Sequence, residues 1–233
     1  MELKWINRLR NAIFPQQCIK CQRDGFLLCV ECRAVFVCRN SQHCPGCNVI
    51  TTYGARCLEH YDHPLDGVVS ATWYANILSK KLVRLWKYRF VREAEPHISS
   101  ILSQWLNATQ QVPSNNWVVV PVPLHPIRSR ARGFDQSIVL ARILAMELGI
   151  DLELNLVRRA RHFQKPQASL SDKKRSERSF DGVFEVNTNI IAPANIILVD
   201  DVYTTGKTMS AVACELKLGG VEVVWGVTFA RGN

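Results

Sequence analysis

The sequence predicts an α/β protein: a mainly parallel sheet with helices on both faces, preceded by a small metal-binding module. Two observations carry this. After residue 64, strand-like apolar runs alternate with segments of helical periodicity. Before it, four ligand pairs share one spacing: Cys18–Cys21, Cys29–Cys32, Cys44–Cys47 and Cys57–His60. At 233 residues the chain suits one full domain plus an appendage, with boundaries expected at 1–63 and 64–233.

The N-terminal stretch MELKWINRLRNAIFPQQC has charges scattered through it, where an export signal needs an unbroken apolar core of about 7–15 residues. Trp5, Ile6, Leu9 and Ile13 recur near helical spacing and predict a short packing helix. No run approaches the ~18 apolar residues of a membrane span, so no membrane insertion is expected. A cytoplasmic, reducing location follows, and there paired cysteines more often hold metal than form disulfides.

A two-residue gap lets both side chains of a tight knuckle face one tetrahedral ion, and two knuckles complete a site. Sequential pairing gives one zinc site from Cys18, Cys21, Cys29 and Cys32, and a second from Cys44, Cys47, Cys57 and His60. It closes smaller loops than interleaved pairing, at lower entropic cost. One or two sites are compatible with the spacing. At the second, His43, His63 and Cys38 lie close enough to compete with His60. Four protein ligands leave no position for a water, so the zinc is read as structural, supplying folding free energy to a region with little apolar surface.

In the second part, ANILSKKLVRLWKYRFVRE carries Leu78, Leu82, Leu85 and Trp86 on one helical face, with Lys80, Lys81, Arg84 and Lys87 around the rest. A strand follows at Trp117–Val122, then a basic loop from His125 to Gln136, then a helix over SIVLARILAMEL stopped by Gly149. Asp151–Leu154 reads as a short strand and residues 158–179 as a long polar segment. The end is a βαβ unit: strand Ile196–Val199, helix Lys207–Leu218, the stop Gly219-Gly220, and strand Val221–Phe229. Ligands of such sheets bind beyond the carboxyl ends of the strands, which is where VDDVYTTGKT falls.

That turn has a definite chemistry. Thr204, Thr205, Gly206, Lys207 and Thr208 open the last helix, whose unpaired N–H groups and positive dipole end suit a phosphate. A lone GKT lacks the glycine spacing of a Walker loop. Asp200 and Asp201 lie a few residues before, within reach of the sugar on that phosphate. Adjacent carboxylates match a ribose 2′,3′-diol, and their repulsion is relieved by ligand hydroxyls or by Mg²⁺ on ligand oxygens.

ILVDDVYTTGKT resembles the phosphoribosyl-diphosphate (PRPP) signature of type I phosphoribosyltransferases. The knuckles, LWKYR, VVPVPLHPIRSRARGFDQS, PQASLSDKKR and that signature, in this order over nearly the whole chain, resemble the ComF/GntX family. The resemblance implies a type I phosphoribosyltransferase-like fold behind a zinc-ribbon module. It implies Asp200 and Asp201 on the ribose, Thr204 to Thr208 on the 5′-phosphate, Mg²⁺ with PRPP, and Pro123, Leu124 and Arg132 at the pyrophosphate. It also implies a role in DNA uptake, handling single-stranded DNA with a helicase-like partner. The chain departs from the family at Asp135, where asparagine is usual, at Arg89-Phe90-Val91, and at Ser179.

Net charge is +9, from 29 Lys and Arg against 20 Asp and Glu, a field that attracts anions. No acidic residue lies between Gly67 and Arg92, and eight Lys or Arg between 158 and 178 face only Asp172 and Glu177. Lys80, Lys81, Arg84, Lys87, Arg128 and Arg130 are the expected contacts to single-stranded DNA, with Trp86, Tyr88 and Phe134 as candidate stacking faces. The alternative use of the same pocket is transfer of phosphoribosyl from PRPP to a nitrogen acceptor.

Overall fold

The architecture follows from four strands that are apolar on both faces. The computed structural model describes residues 17–36, 38–47, 49–87, 92–109, 112, 116–124, 133–159 and 182–232. In chain order the strands are β1 Gln42–His43, β2 Ile50–Thr51, β3 Gly67–Trp73, β4 Val118–Pro121, β5 Asp151–Leu152, β6 Val157–Arg159, β7 Phe184–Val186, β8 Asn195–Tyr203 and β9 Val223–Arg231. The helices are α1 Val30–Ala34, α2 Ile77–Lys87, α3 Glu95–Thr109, α4 Gln136–Leu148 and α5 Lys207–Leu218. The expected N-terminal helix lies outside the described residues.

Five strands form one sheet in the order β3-β9-β8-β4-β5, and every neighbouring pair is parallel. Along β8, Ile197 and Val199 pack with α2, α3 and α4, while Ile196 and Leu198 pack with α5 and the β6–β7 hairpin. A strand buried on both faces reads as the continuous apolar run seen in IILV. From β4 the chain winds through α4 to β5 on one side; from β8 it winds through α5 to β9 on the other. The direction reverses between β4 and β8, which opens the ligand crevice of this sheet type at their carboxyl ends.

The cysteine-bearing segment packs tightly onto this sheet. Cys18, Leu28, Cys29, Cys32 and Phe36 join the same buried cluster as α2 and α3. Residues 39–43 run along the free edge of β3: Arg39 N donates to Ala71 O (2.8 Å), and the Gln42 amide accepts from Ser70 N (3.0 Å) and donates to Ser70 O (3.2 Å). An uncovered edge strand is a template for aggregation; here the module covers it, which is why β3 is buried almost throughout. Asp66 ties the junction together, pairing with Arg56 (3.1 Å) and Lys217 (2.8 Å) and accepting from Val224 N.

Candidate functional site

Two ligand clusters form, with sequential pairing: Cys18, Cys21, Cys29 and Cys32, and Cys44, Cys47, Cys57 and His60. In each, the ligand atoms lie within 4.8 Å of one another. The fit to zinc can be tested by geometry. A tetrahedron with Zn–S bonds of ~2.3 Å has S···S edges of ~3.8 Å; Cys18–Cys29 is 3.8 Å, Cys21–Cys29 3.6 Å and Cys47–Cys57 3.8 Å. His60 presents Nδ1, 3.2 Å from Cys57 Sγ, and the N–H groups of Gly46 and Cys57 point at Cys44 Sγ. At the first cluster, burial pushes the Cys18 thiol up, but N–H groups of Cys21, Cys29 and Lys20 outweigh it and hold the thiol at about 6, while burial and the neighbouring thiols push Cys32 up to about 12; metal binding would have to displace that proton. The rivals of His60 are engaged elsewhere. His43 is buried against Arg39 Nη2 (2.6 Å) and Trp73, His63 Nδ1 accepts from Leu65 N (3.1 Å), and Cys38 belongs to neither cluster.

The acid pair lies near the carboxyl end of β8, at the switch point. A pocket there is lined by Asp200, Val202, Tyr203 and the turn from Thr204 to Met209. Gly206 is the N-cap of α5 with φ 72° and gives its first turn no side-chain acceptor, so those N–H groups face the pocket unspent. Thr204, Thr205 and Lys207 are exposed and Thr208 is half-buried. Two groups reach the acids from the helical layer. Ser137 Oγ of α4 donates to Asp200 Oδ1 (3.0 Å), and Lys87 Nζ, at the end of α2, pairs with Asp201 Oδ1 (2.9 Å). Gln136 Nε2 donates to Trp86 O (3.3 Å) and so fixes the end of α2 against α4.

Asp135 caps α4, accepting from Ser137 N (2.9 Å), and its carboxylate also receives the N–H of Leu124. One acceptor therefore holds the loop after β4 to the start of α4. This position needs an acceptor oxygen, which aspartate and asparagine both supply.

Burial, and then the neighbouring Asp201 carboxylate, push Asp200 up to about 7, against the Asp201 N–H, Ser137 and Lys87. Its ordinary value is 3.8. The folded protein then holds a proton that the unfolded chain has lost between pH ~4 and ~7, so this group's stabilising contribution, full at low pH, drains away as pH rises through 7. Asp200→Asn is accordingly expected to match the parent in thermal stability near pH 4.5 and exceed it at pH 8. Discounted for the partial exposure of the carboxyl to the pocket, the gain is on the order of 1–2 kcal/mol, or ~3–6 °C. Thermal melts at both pH values check this, and a difference independent of pH would contradict it.

The phosphoribosyl transferase domain family matches over residues 134–233, the part holding α4, the acid pair and the α5 turn. The chain is 29% identical over 223 residues to Competence protein F of Haemophilus influenzae, covering 91% of this chain and 90% of that one. It is 30% identical over 194 residues to DNA utilization protein YhgH of Escherichia coli, covering 78% and 80%. The chain belongs to the ComF family of phosphoribosyltransferase-like proteins. A third relative, Competence protein ComFC of Bacillus subtilis, is 33% identical over 150 residues, 63% of this chain and 58% of that protein.

In this ComF protein the structure gathers Asp200 and Thr204 to Thr208 around one pocket; Asp201 lies beside them, buried and paired with Lys87 rather than lining it, and Pro123 and Leu124 follow β4, half-buried. Arg128, Arg130 and Arg132 lie outside the described residues. Lys80, Lys81 and Arg84 are exposed on α2, and Lys81 Nζ donates to Ile19 O (3.0 Å). Lys87, expected on the outer cationic face, turns instead to Asp201. Trp86 is fully buried with Phe134 packed on it at 6.2 Å between ring centroids, so it is core and offers no stacking face. Sequence reasoning missed Ser137 as a partner of the acids; the only signal was its place in GFDQS, two residues after a capping aspartate.

Proposed function

We propose that this protein binds a phosphoribosyl ligand, PRPP with Mg²⁺, at the β8–α5 turn, and single-stranded DNA on its basic surface, as a cytoplasmic accessory of DNA uptake. The observation that supports the reading is the pocket itself: the Asp200 carboxylate lines it ahead of a helix N-terminus whose N–H groups suit a 5′-phosphate, and Asp201 stands next in the strand, held by Lys87. The names of the relatives, competence and DNA utilization proteins, support the biological setting. Zinc at both knuckle clusters is structural. A helicase-like protein is the proposed partner, met through the metal module. Among the described residues no helix is long and apolar enough to cross a membrane.

Calorimetric titration with PRPP and Mg²⁺ tests the pocket; no heat of binding at millimolar ligand would end the reading. DNA is tested separately. Lys80→Ala with Arg84→Ala removes two exposed cations of α2, and should weaken a fluorescent single strand ~3–10-fold. It should also reduce the slope of log K against log salt by ~1–1.5, at ~0.7 for each phosphate that is no longer neutralised. An unchanged slope would remove this face of α2 from the DNA path.

A second reading, transfer of the phosphoribosyl group to a nitrogen acceptor, is favoured by the place of Asp200: it lines the pocket, and burial beside the Asp201 carboxylate raises its affinity for a proton. Release of pyrophosphate on adding a nitrogen acceptor would support it.

A further inference from the structure

Tyr203 lies between the acid pair and the threonines and is one of the residues lining the pocket, yet its hydroxyl reaches the metal module. It is 3% exposed, and its hydroxyl donates to Pro45 O at 2.8 Å. Pro45 sits inside the knuckle Cys44-Pro45-Gly46-Cys47. The hydroxyl is also within hydrogen-bonding reach of Ser210, one turn into α5. From the same side, the Arg231 guanidinium lies over the Tyr203 ring (4.9 Å) and donates to His43 O (3.0 Å) and Cys44 O (2.8 Å).

The other flank of Tyr203 is the phosphate turn. A Cβ built on Gly206 would overlap the Tyr203 hydroxyl oxygen and stand 2.5 Å from Cζ. The turn therefore wraps the phenol at closest approach, and its left-handed φ of 72° is held over a side chain fixed at its far end by the knuckle. The knuckle is equally tight on the ligand side, where a Cβ on Gly46 would overlap the His60 ring. Three thiolates and a neutral imidazole around a divalent ion carry one net negative charge, and the buried Arg231 is the cation placed to balance it.

Resting on the ribose-phosphate reading above, we propose that Tyr203 is a positioning residue that couples the two sites: metal at Cys44, Cys47, Cys57 and His60 sets the affinity of the turn for a sugar phosphate. With metal bound, the Pro45 carbonyl is held where the phenol needs it. Without metal, the knuckle has no common centre to keep that carbonyl in place, the hydroxyl loses its Pro45 acceptor and keeps only Ser210, and the turn at Gly206 loses its support from the module. Among the described residues the first cluster makes no such contact, and it serves as an internal control. Coupling of this kind is reciprocal, so the sugar phosphate must tighten the second metal by the factor by which the metal tightens the sugar phosphate.

The test is pulsed thiol alkylation of the zinc-loaded full chain under excess chelator, read cysteine by cysteine by mass spectrometry, with and without saturating ribose 5-phosphate. Ribose 5-phosphate is expected to slow modification of Cys44, Cys47 and Cys57 on the order of 3–10-fold, the worth of one neutral hydrogen bond, and to leave the first cluster unchanged. Tyr203→Phe, which keeps the ring beneath Arg231, should bind ribose 5-phosphate more weakly by the same factor and lose the protection. Equal protection of both clusters, or protection undiminished in Tyr203→Phe, would overturn the coupling while leaving the pocket standing. If wild type binds no ribose 5-phosphate at all, the pocket reading fails and the coupling with it. Should Tyr203→Phe fold poorly, the comparison of the two clusters in the wild-type chain decides alone.

Discussion

Replacing Asp201 with alanine is expected to weaken PRPP binding ~30- to 1000-fold while leaving the fold intact. A charge-assisted hydrogen bond contributes ~1.5–3 kcal/mol, and a carboxylate on a ribose diol makes up to two. Asp201 is buried and already paired with Lys87 at 2.9 Å, so the ligand must share it with that ammonium. Removing the carboxylate frees Lys87, whose attraction for the ligand's phosphates recovers part of the loss; this sets the lower bound. The double change Asp201→Ala with Lys87→Met should therefore bind more weakly than Asp201→Ala alone. Calorimetry at fixed Mg²⁺, with circular dichroism to show an unchanged fold, measures both. Affinity that survives Asp201→Ala within threefold would place the ribose elsewhere.

The partial legibility of this site has physical reasons. Asp200 through Thr208 could be read directly because strand, acids and helix start are contiguous, and local sequence fixes their order in space. Sequential pairing of the knuckles was equally accessible, since loop closure favours neighbours and the spacing selects tetrahedral ligands. Ser137 and Lys87 were harder. They meet the acids only because β4 lies beside β8 and α2 and α4 share one face, a juxtaposition that no local pattern encodes. The expectation that Lys87 faces outward failed for a related reason: at the last turn of α2, helical periodicity assigns a face, and Asp201 overrides it.

Elements were missed in the same way. β3, GVVSATW, has small polar residues at Ser70 and Thr72, but they do not mark a solvent face: both are buried and bonded to β9, because the strand is covered on both faces and along its edge by residues 39–43. α3 begins at Glu95-Pro96, a proline suited to the first helical turn, but its apolar positions Ile98, Ile101, Leu102, Trp105 and Leu106 follow the amphipathic α2 so closely that one helical signal runs into the next. The β6–β7 hairpin joins strands on either side of the long polar segment, and each strand is only three residues long, too short to show a period.

The covered edge of β3 makes the second metal site the one whose loss should cost most. Cys44→Ser is expected to lose one zinc of two and to lower the melting temperature by more than ~10 °C, because metal affinity is folding free energy in a segment with little core of its own. The first cluster has a hydrophobic anchor in α2 and Phe36; the second relies on Arg231 and Tyr203 reaching its carbonyls. Once those carbonyls lose their metal-fixed positions, β1 loosens, and Gln42 releases Ser70. Hydrogen exchange should then accelerate at the Ser70 amide, which donates to the Gln42 side chain, while Ile197, Leu198 and Val199 in the middle of the sheet stay protected. Self-association should rise with protein concentration as the β3 edge is bared. If Cys18→Ser proves the more damaging change, or if the Ser70 amide stays protected in Cys44→Ser, then the edge is held by the sheet alone and the second knuckle is only packed against it.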